Sequence, residues 1–580
     1  MIKASTNYQS KITASSRDIK VKSTFGFVDI DAADSAVPAA SGEASVSLLN
    51  QITNGVTEAS KPHLMRLELN NTILDGSSQI TGDDNGQVGW WSSSLCNESC
   101  IFEPAEAVTF SLPYLANVIG ISIYWGEIPR EFTLAFYSGS TLMAEKTVSG
   151  NKEQVTIIEQ PVYGFDKLVI SVSENVYPYT RAKIVNVIFG IIKIYTDDEI
   201  ISMSSLDQIG LMPDALASNE ITLEVGNFSR DLNPINPQGV IKYLQQKQVI
   251  STQLGIGSDS GIEWISIGDM YLYQWPTSSN DGTAKLILRS EVDFIKGTYK
   301  TTSIGLVDAK TLLTEIFGKA GITKYIIPDE LASIQLNRFV SETDYRKAIQ
   351  LIVNACCHYI KLERDMTVNI KPIVITEPVK TIDYDNVYDK PEITSDSDKG
   401  AYGVTVYRYS DGFSTTLVDK MSLGDAGTKS GTIRYSPAVN VSASVTNGTL
   451  DAVTYDIDSC YVTVTVKDGA TITITGDELY SYEYIVGNAD GIVISNPFVA
   501  TEDVAQKMLE MYELLAKYRL TYDVKNWRQD MTLEAGDVVK VQNDFYTEQS
   551  VMITEQTLRY DGALSGSTKG IAKAVEEDDQ

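Results

Sequence analysis

Three tryptophans, Trp90, Trp91 and Trp125, are the side chains in this sequence that could stack against a sugar ring. Aromatic faces bind sugars in many sites, yet large aromatic residues more often supply buried area to a core. Because neighbouring residues of a strand point to opposite faces, Trp90 and Trp91 cannot both point inward. We expect one of them to fill the core of a β-sandwich and the other to be a candidate for ligand contact.

A polar loop just before the tryptophans offers oxygen ligands from Asp83, Asp84 and Asn85. Calcium prefers such ligands, but the ligand spacing of a known calcium loop is absent. A polar turn that ends at Gly86 explains the same residues without a metal. Calcium therefore stays open as a cofactor at this loop, and the sequence predicts no other cofactor.

Nucleophilic catalysis would need a cysteine and a histidine in suitable positions. Cys357 and His358 are adjacent, but neighbouring positions of a helix point about 100° apart, so the two cannot form a thiolate–imidazole pair. Cys356 falls on an apolar stripe, which favours buried thiols, and His63 lies in an unpatterned segment. Nucleophile-elbow, phosphate-loop and zinc-hydrolase motifs are absent, and no carboxylate pair stands out. We therefore predict that the chain is not an enzyme.

Composition indicates an acidic protein of several domains. The 580 residues exceed what one core normally spans, and the net charge of −29 disfavours binding to a phosphate backbone. Five cysteines are few and odd in number, which fits synthesis in a reducing cytoplasm. The strongest apolar run, at residues 184–195, is too short to span a bilayer. We expect no nucleic-acid partner, no membrane-spanning segment and no signal peptide.

Short runs rich in β-branched and aromatic residues dominate the chain and predict strands. Against this background three helices are predicted from their apolar periodicity and their capping residues. Asp308 and Gly321 mark the ends of the first, and Ser341 with Asp344 has the spacing of a capping box before the second. The third begins at Thr501 with acidic residues that suit the positive end of the helix dipole.

These patterns predict a mainly β protein with small α/β units, divided into seven segments. The segments are an N-terminal strand with a mobile Ser/Ala/Gly-rich loop (1–73), a jelly-roll β-sandwich (74–196), a barrel-like β domain (197–305), a small helical α/β unit (306–375), a further β domain (376–500), a helix with closing strands (501–567) and a flexible tail (568–580).

Three phrases of the predicted β domains, at residues 221–256, 263–275 and 533–567, carry a resemblance to a known family. They resemble the sheet of minor tail or tail-tip (baseplate) hub proteins from phages and prophages of Gram-positive bacteria. The order of parts agrees: an interrupted strand like NFSRDLNPINPQG, a barrel-like sheet and a helical unit like DAKTLLTEIFGKAGI. The segment 376–500 matches no part that we can name and is either the lower barrel of that family or an insertion.

A further phrase, DGSSQITGDDNGQVGWWSSSL with FTLAFYSG and VIFGIIKIY downstream, is similar to the discoidin-like jelly roll that some of these tail proteins carry. Such a domain belongs to the galactose-binding, carbohydrate-binding-module-like class. We expect it to be an insertion, removable between Leu74 and Tyr195, whose flanking strands IKVKSTFGFVDI and EITLEVGN share one sheet.

The resemblance implies a structural protein of the virion, located at the tail tip and assembled in the host cytoplasm. Such hubs form rings, commonly homotrimers, that join the tail tube to receptor-binding or tip proteins. The implied partners are further copies of the chain, a distal tail protein, other tail-tip proteins and, for the jelly roll, a host cell-surface glycan. Without a hydrolase extension here, any enzyme is expected elsewhere in the particle. The alternative is a soluble carbohydrate-binding or adhesion protein with no role in a tail.

Overall fold

Strands form most of the protein, as the sequence predicts. The computed structural model describes residues 2–28, 30–44, 47–53, 88–212, 216–233, 235–236, 246–258, 261–278, 282–300, 305–338, 343–395, 401–409, 416–486, 492–545 and 547–574. Its helices are α1 (Thr6–Ile12), α2 (Ile30–Ser35), α3 (Ala309–Ala320), α4 (Tyr345–Ala355) and α5 (Glu502–Lys517). Every helix in the described ranges is too short or too polar to cross a bilayer.

The strands alternate with short turns along the whole described chain. In the first part they are β1 (Ile19–Val28), β2 (Val37–Ala40), β3 (Trp90–Trp91), β4 (Ile101–Val118), β5 (Ile121–Glu127), β6 (Pro129–Ser138), β7 (Thr141–Ser149), β8 (Val155–Ile158), β9 (Val162–Asn175), β10 (Lys183–Ile188) and β11 (Gly190–Thr196). In the middle they are β12 (Ile200–Gln208), β13 (Glu220–Gly226), β14 (Val249–Ser258), β15 (Gly261–Gln274), β16 (Thr277–Ser278), β17 (Thr283–Arg289), β18 (Thr298–Tyr299), β19 (Leu306–Asp308), β20 (Tyr325–Ile326), β21 (Gln335–Asn337), β22 (Thr343–Asp344), β23 (His358–Leu362) and β24 (Val368–Pro372). The last are β25 (Lys380–Ile382), β26 (Glu392–Ser395), β27 (Ala401–Tyr409), β28 (Thr416–Gly424), β29 (Gly427–Arg434), β30 (Ala438–Tyr455), β31 (Ser459–Ile485), β32 (Ile492–Ser495), β33 (Leu520–Lys525), β34 (Val538–Gln542), β35 (Glu548–Tyr560) and β36 (Leu564–Ala572).

A fourteen-stranded sheet, which we call the central sheet, joins strands from both ends of the chain. Its order is β11-β1-β14-β15-β17-β13-β12-β35-β36-β33-β26, with β16, β25 and β34 attached to it. The half around β1 and β13 packs on one hydrophobic core together with α1, and the half around β33 to β36 packs on a second core with the helical unit. The sheet therefore connects two cores, and β35 contributes to both, since Leu558 and Tyr560 lie in the first core and Ile553 in the second.

Two smaller sheets form a β-sandwich that is inserted into a hairpin of the central sheet. Their orders are β2-β4-β9-β6-β7 and β3-β10-β5-β8, and their facing sides share one core. Strands β1 and β11 are antiparallel neighbours, and the Cα partners at the point where the chain leaves and returns are Val28 and Gly190. The sandwich thus occupies the tip of a hairpin, and β1 and β13, which flank it in sequence, lie in the same sheet.

The bounds of this insertion differ from those predicted at residues 74 and 196. Residues 190–196 form β11 of the central sheet, and Tyr195 packs in the core of that sheet. The Ser/Ala/Gly-rich stretch that was expected to be a mobile loop contains α2 and β2, and β2 pairs with β4 of the sandwich. Its small side chains allow this packing, since Ala32 and Ala36 are buried in the sandwich core.

The first and third predicted helices are confirmed at their caps. Asp308 accepts a hydrogen bond from the Thr311 backbone N–H (2.8 Å), and α3 ends at Gly321 with a left-handed φ of 80°. Thr501 caps α5 through the Val504 N–H at 3.3 Å. Both helices pack with α4 on the same core.

The second helix, which the apolar periodicity predicts over residues 345–360, is shorter than predicted. Asp344, rather than Ser341, is its N-cap and accepts a hydrogen bond from the Lys347 N–H at 2.8 Å; Ser341 lies outside the described residues. The helix ends before Cys357, whose positive φ of 60° turns the chain into β23. The aromatic and β-branched residues that follow therefore extend as a strand.

The predicted segments 376–500 and 568–580 are both divided by the structure. Strands β25 and β26 join the central sheet by pairing with β34 and β33, β27 packs against α5, and only β28 to β31 enclose a separate small core. The tail that was expected to be flexible begins with strand: residues 568–572 continue β36 between β33 and β35. Glycines permit this close pairing, since a Cβ on Gly570 would lie 2.4 Å from the Met552 carbonyl oxygen.

A buried loop at residues 529–533 joins the central sheet to α1 and to the helical unit. Asp530 is fully buried, and its carboxylate accepts a hydrogen bond from the Tyr8 hydroxyl (2.8 Å) and pairs with the Lys380 ammonium. The Arg364 guanidinium donates to the carbonyl oxygens of Met531 (2.8 Å) and Leu533 (3.0 Å). A buried backbone needs such partners, so these side chains hold the loop in place.

The charge of Asp530 is stabilised by its partners. Burial alone raises the pKa of a carboxyl group, but the Lys380 ammonium and the hydrogen bonds from Thr532 hold the pKa of Asp530 below its usual value. A carboxyl whose pKa is lowered on folding contributes stability above its unfolded-state pKa and loses that contribution as the pH falls through its folded-state pKa.

We predict that Asp530→Asn lowers the free energy of unfolding by about 3 to 5 kcal/mol, because it leaves Lys380 without its charge partner. Asp544→Asn, which breaks the exposed pair with Lys390, is the matched control and should cost less than about 1 kcal/mol. Urea unfolding from neutral pH to pH 3 measures both. The difference between wild type and Asp530→Asn should shrink below about pH 4, and a difference that is constant with pH would contradict the assignment.

We also predict that residues 29–189 can be replaced by a short Gly/Ser linker, because Val28 and Gly190 are register partners in adjacent strands. The shortened chain should stay soluble and unfold cooperatively in differential scanning calorimetry. Removal of residues 74–195 is the control. It deletes most of β11 and should cause loss of cooperative unfolding; equal behaviour of the two deletions would show that the insertion has other bounds.

Candidate functional site

The three tryptophans are built into the sandwich. Trp90 and Trp91 form β3, which pairs with β10 in the register Ile184 to Trp90, and Trp125 lies on the neighbouring strand β5. Gly89 permits this pairing, because its φ is 72° and a Cβ there would lie 2.2 Å from the Ile184 carbonyl oxygen.

All three indoles are buried, so the expectation that Trp90 or Trp91 is exposed is wrong. Trp90 and Trp125 lie in the sandwich core, and their ring N–H groups donate to the Gly42 carbonyl (3.1 Å) and the Thr156 hydroxyl (2.9 Å). Trp91 points to the opposite face, as strand alternation predicts, but there the Lys183 ammonium lies 4.1 Å from the centre of its ring. None of the three presents a free face for stacking on a sugar.

The outer face of this four-stranded sheet is covered as well. Tyr124, Val185 and Ile188 form a small core with Ile192 of β11, a strand of the central sheet. The Ser122 hydroxyl accepts a hydrogen bond from the Ile192 N–H (3.1 Å) and donates to the Gly190 carbonyl (3.1 Å). This second layer was not predicted from the sequence, because its residues belong to both the sandwich and the central sheet.

Exposed aromatic rings are found elsewhere on the sandwich, and two of them, Tyr177 and Tyr179, lie on the loop between β9 and β10. Tyr177 and Tyr179 are 61% and 51% exposed. Their loop is fixed by hydrogen bonds, since the Asn175 amide donates to the Thr180 hydroxyl (2.8 Å) and the Arg181 guanidinium donates to the Ser92 carbonyl (2.9 Å). The Pro between the two tyrosines is the sequence signal for this turn.

The proposed calcium ligands Asp83, Asp84 and Asn85 lie outside the described residues, as does His63. Within the described ranges, no group of three or more His, Cys, Asp or Glu side chains is arranged to hold a metal ion.

Cys357 and His358 have separate hydrogen-bond partners. The Cys357 thiol donates to the Lys507 carbonyl oxygen at 3.4 Å, whereas the His358 Nδ1 lies 2.6 Å from the Cys356 carbonyl oxygen. Burial raises the pKa of the Cys357 thiol to about 11, so it remains protonated at neutral pH. The thiol and the imidazole are therefore not arranged as a nucleophile and its base.

The central sheet has two unlike ends. At β11, the Ser122 hydroxyl forms hydrogen bonds with the Gly190 carbonyl and the Ile192 N–H, two backbone groups that face outward from the sheet. At β26 all four residues are exposed, and within the described part of the chain β33 is its one neighbour in the sheet. Around this open edge lie Tyr388 (70% exposed), Ile393 and Phe545 (85% exposed). An exposed strand edge is a ready template for another chain.

We predict that Trp90→Ala and Trp91→Ala both destabilise the sandwich by about 3 to 5 kcal/mol, since each removes a buried indole. Tyr179→Ala, which removes an exposed ring, is the control and should cost little. Calorimetry of the full chain measures the sandwich transition, identified by its absence from the 29–189 deletion. If either tryptophan substitution leaves that transition unchanged, the indole concerned does not anchor the fold.

No protein-family model and no curated protein matches this sequence. Several solved structures are similar, and they include tail proteins. The prophage MuSo2 43 kDa tail protein from Shewanella oneidensis has 12% identity over 65% of this chain and 94% of its own, with a TM-score of 0.36. A tail protein from Neisseria meningitidis MC58 has 11% identity over 66% and 93%, with a TM-score of 0.37. The prophage tail protein gp18 from Listeria monocytogenes EGD-e has 10% identity over 65% and 91%, with a TM-score of 0.34.

Proposed function

We propose that this chain is a structural component of a phage tail tip or baseplate, a hub that forms a homotrimeric ring and joins the tail tube to tip or receptor-binding proteins. One observation carries the proposal. The three phrases that resemble tail hubs, at residues 221–256, 263–275 and 533–567, supply β13 to β15 and β34 to β36, and all of these strands lie in the central sheet.

The open end of that sheet supports assembly. A ring of identical chains needs a surface on each copy that accepts the next one. The edge of β26, with Ile393, Tyr388 and Phe545 around it, combines backbone hydrogen-bonding groups with exposed apolar area. Other tail proteins, such as a distal tail protein, are proposed to meet the ring, which would lie at the tail tip of the virion after assembly in the host cytoplasm.

The proposal gives the chain no catalytic step and assigns the sandwich to contact with a host glycan or a tail protein. A glycan contact would use Tyr177 and Tyr179, because these rings reach solvent and the tryptophans do not. A soluble adhesion protein with no role in a tail is the alternative, and it would bind glycan as a monomer.

We predict that the purified chain forms trimers in multi-angle light scattering, alone or with its tail-tube protein. The double variant Ile393→Glu, Phe545→Ser should shift the protein towards monomer, because it places a charge at the open edge and removes an exposed ring. Leu142→Ser removes a comparably exposed side chain from the sandwich and should leave the trimer intact. A wild-type chain that is monomeric at every concentration and with every tail partner would contradict the hub proposal.

A further inference from the structure

A groove of about 480 Å³ lies between the turn Asp329–Ser333 and helix α5. Apolar side chains from both elements line it, among them Ile334, Met511 and Leu514. Glu330, Lys507 and Glu510 bring three charges to it, and all three side chains are exposed. Two carboxylates and one ammonium leave one net negative charge on the lining.

His358 is the buried polar group of this groove. Its side chain is 7% exposed, and the Nε2 atom has no hydrogen-bond partner among the described residues. The Nδ1 atom lies 2.6 Å from the Cys356 carbonyl oxygen, which can only accept, so Nδ1 carries the hydrogen. In the neutral ring Nε2 is therefore an acceptor, and a donor from a ligand would satisfy it.

The carboxylate beside His358 Nε2 also favours a hydrogen-bond donor. Glu330 Oε1 lies 3.4 Å from His358 Nε2, so an acceptor nitrogen and a carboxylate oxygen stand side by side at one end of the groove. Both favour a donor that carries positive charge. The Glu510 carboxylate, which accepts one hydrogen bond from Gln506 at 2.9 Å, adds negative potential from α5.

We propose that this groove binds the side chain of a lysine or arginine from a neighbouring protein. The aliphatic stem lies on Ile334, Met511 and Leu514, and the cationic head donates to His358 Nε2 and to Glu330. This site is independent of the central sheet and of any role in a tail.

Other occupants fit the lining less well. An anion would meet Glu330 and Glu510, and an uncharged apolar side chain would leave the buried Nε2 atom without a donor. A metal ion would find too few ligands, since the described residues contain no group of three suitable side chains.

The test uses the full-length chain with ¹⁵N-labelled histidine. The sequence has two histidines, so His63→Gln leaves the His358 imidazole as the one signal. N-acetyl-lysinamide and N-acetyl-argininamide are added over about 1 to 50 mM, the range expected for a single side-chain contact. Both should shift the His358 resonance in a saturable way, whereas N-acetyl-norleucinamide, which keeps the stem and lacks the charge, should not.

Variants then locate the contact. Glu330→Gln with Glu510→Gln should weaken binding of the lysine probe roughly fivefold, the loss expected for two exposed charge contacts. Glu513→Gln makes the same change elsewhere on α5, where Glu513 pairs with Lys517, and should not alter binding. Melting temperatures confirm that each variant is folded. No shift with either basic probe, equal shifts with norleucinamide, or equal weakening by Glu513→Gln would each overturn the proposal.

Discussion

The carboxylate of Asp530 is the contact on which the rest of this architecture depends. It is buried in a loop whose backbone would otherwise lack partners, and it ties α1, through Tyr8, to the strand that carries Lys380. Arg364 closes the same loop from the helical unit and also donates to the Ser266 carbonyl at 2.6 Å in β15. Breaking a buried ion pair leaves one charge without compensation. These contacts therefore require α1, the helical unit and the closing strands to be in place together.

The inserted sandwich, in contrast, places few constraints on how the central sheet folds. The chain leaves at Val28 and returns at Gly190, which are neighbours across two paired strands, so the sheet is continuous with or without the inserted domain. The orientation of the sandwich is fixed by the Ser122 bonds to β11 and by the small core around Ile192. Trp91 is covered by a different contact, the Lys183 ammonium 4.1 Å from the centre of its ring, on the face that strand alternation alone would leave to solvent.

Residue patterns in the sequence predicted where helices and strands form better than they predicted which strands pair with each other. The caps at Asp308, Gly321 and Thr501 were correct because a cap depends on residues within one turn of the helix. The block 376–500 was wrong as a unit because β25 and β26 pair with strands more than a hundred residues away, a relation that no local pattern records. The tryptophan site failed for the same reason, because the burial of Trp90, Trp91 and Trp125 is set by elements distant in sequence, and so are the surroundings of His358.

Charge limits how copies of this chain can meet. With a net charge of −29, like chains repel, and salt screens that repulsion only beyond about 8 Å under physiological conditions. At the open end of the central sheet, however, two of the acidic side chains have basic partners within the chain: Glu392 pairs with Lys525 at 2.5 Å and Asp544 with Lys390 at 2.6 Å. The backbone groups of an edge strand are neutral. Under the proposed assembly, a neighbouring copy that docks on the β26 edge meets these paired charges and neutral backbone groups, so strand pairing and apolar burial there face less electrostatic repulsion than unpaired acidic side chains would cause.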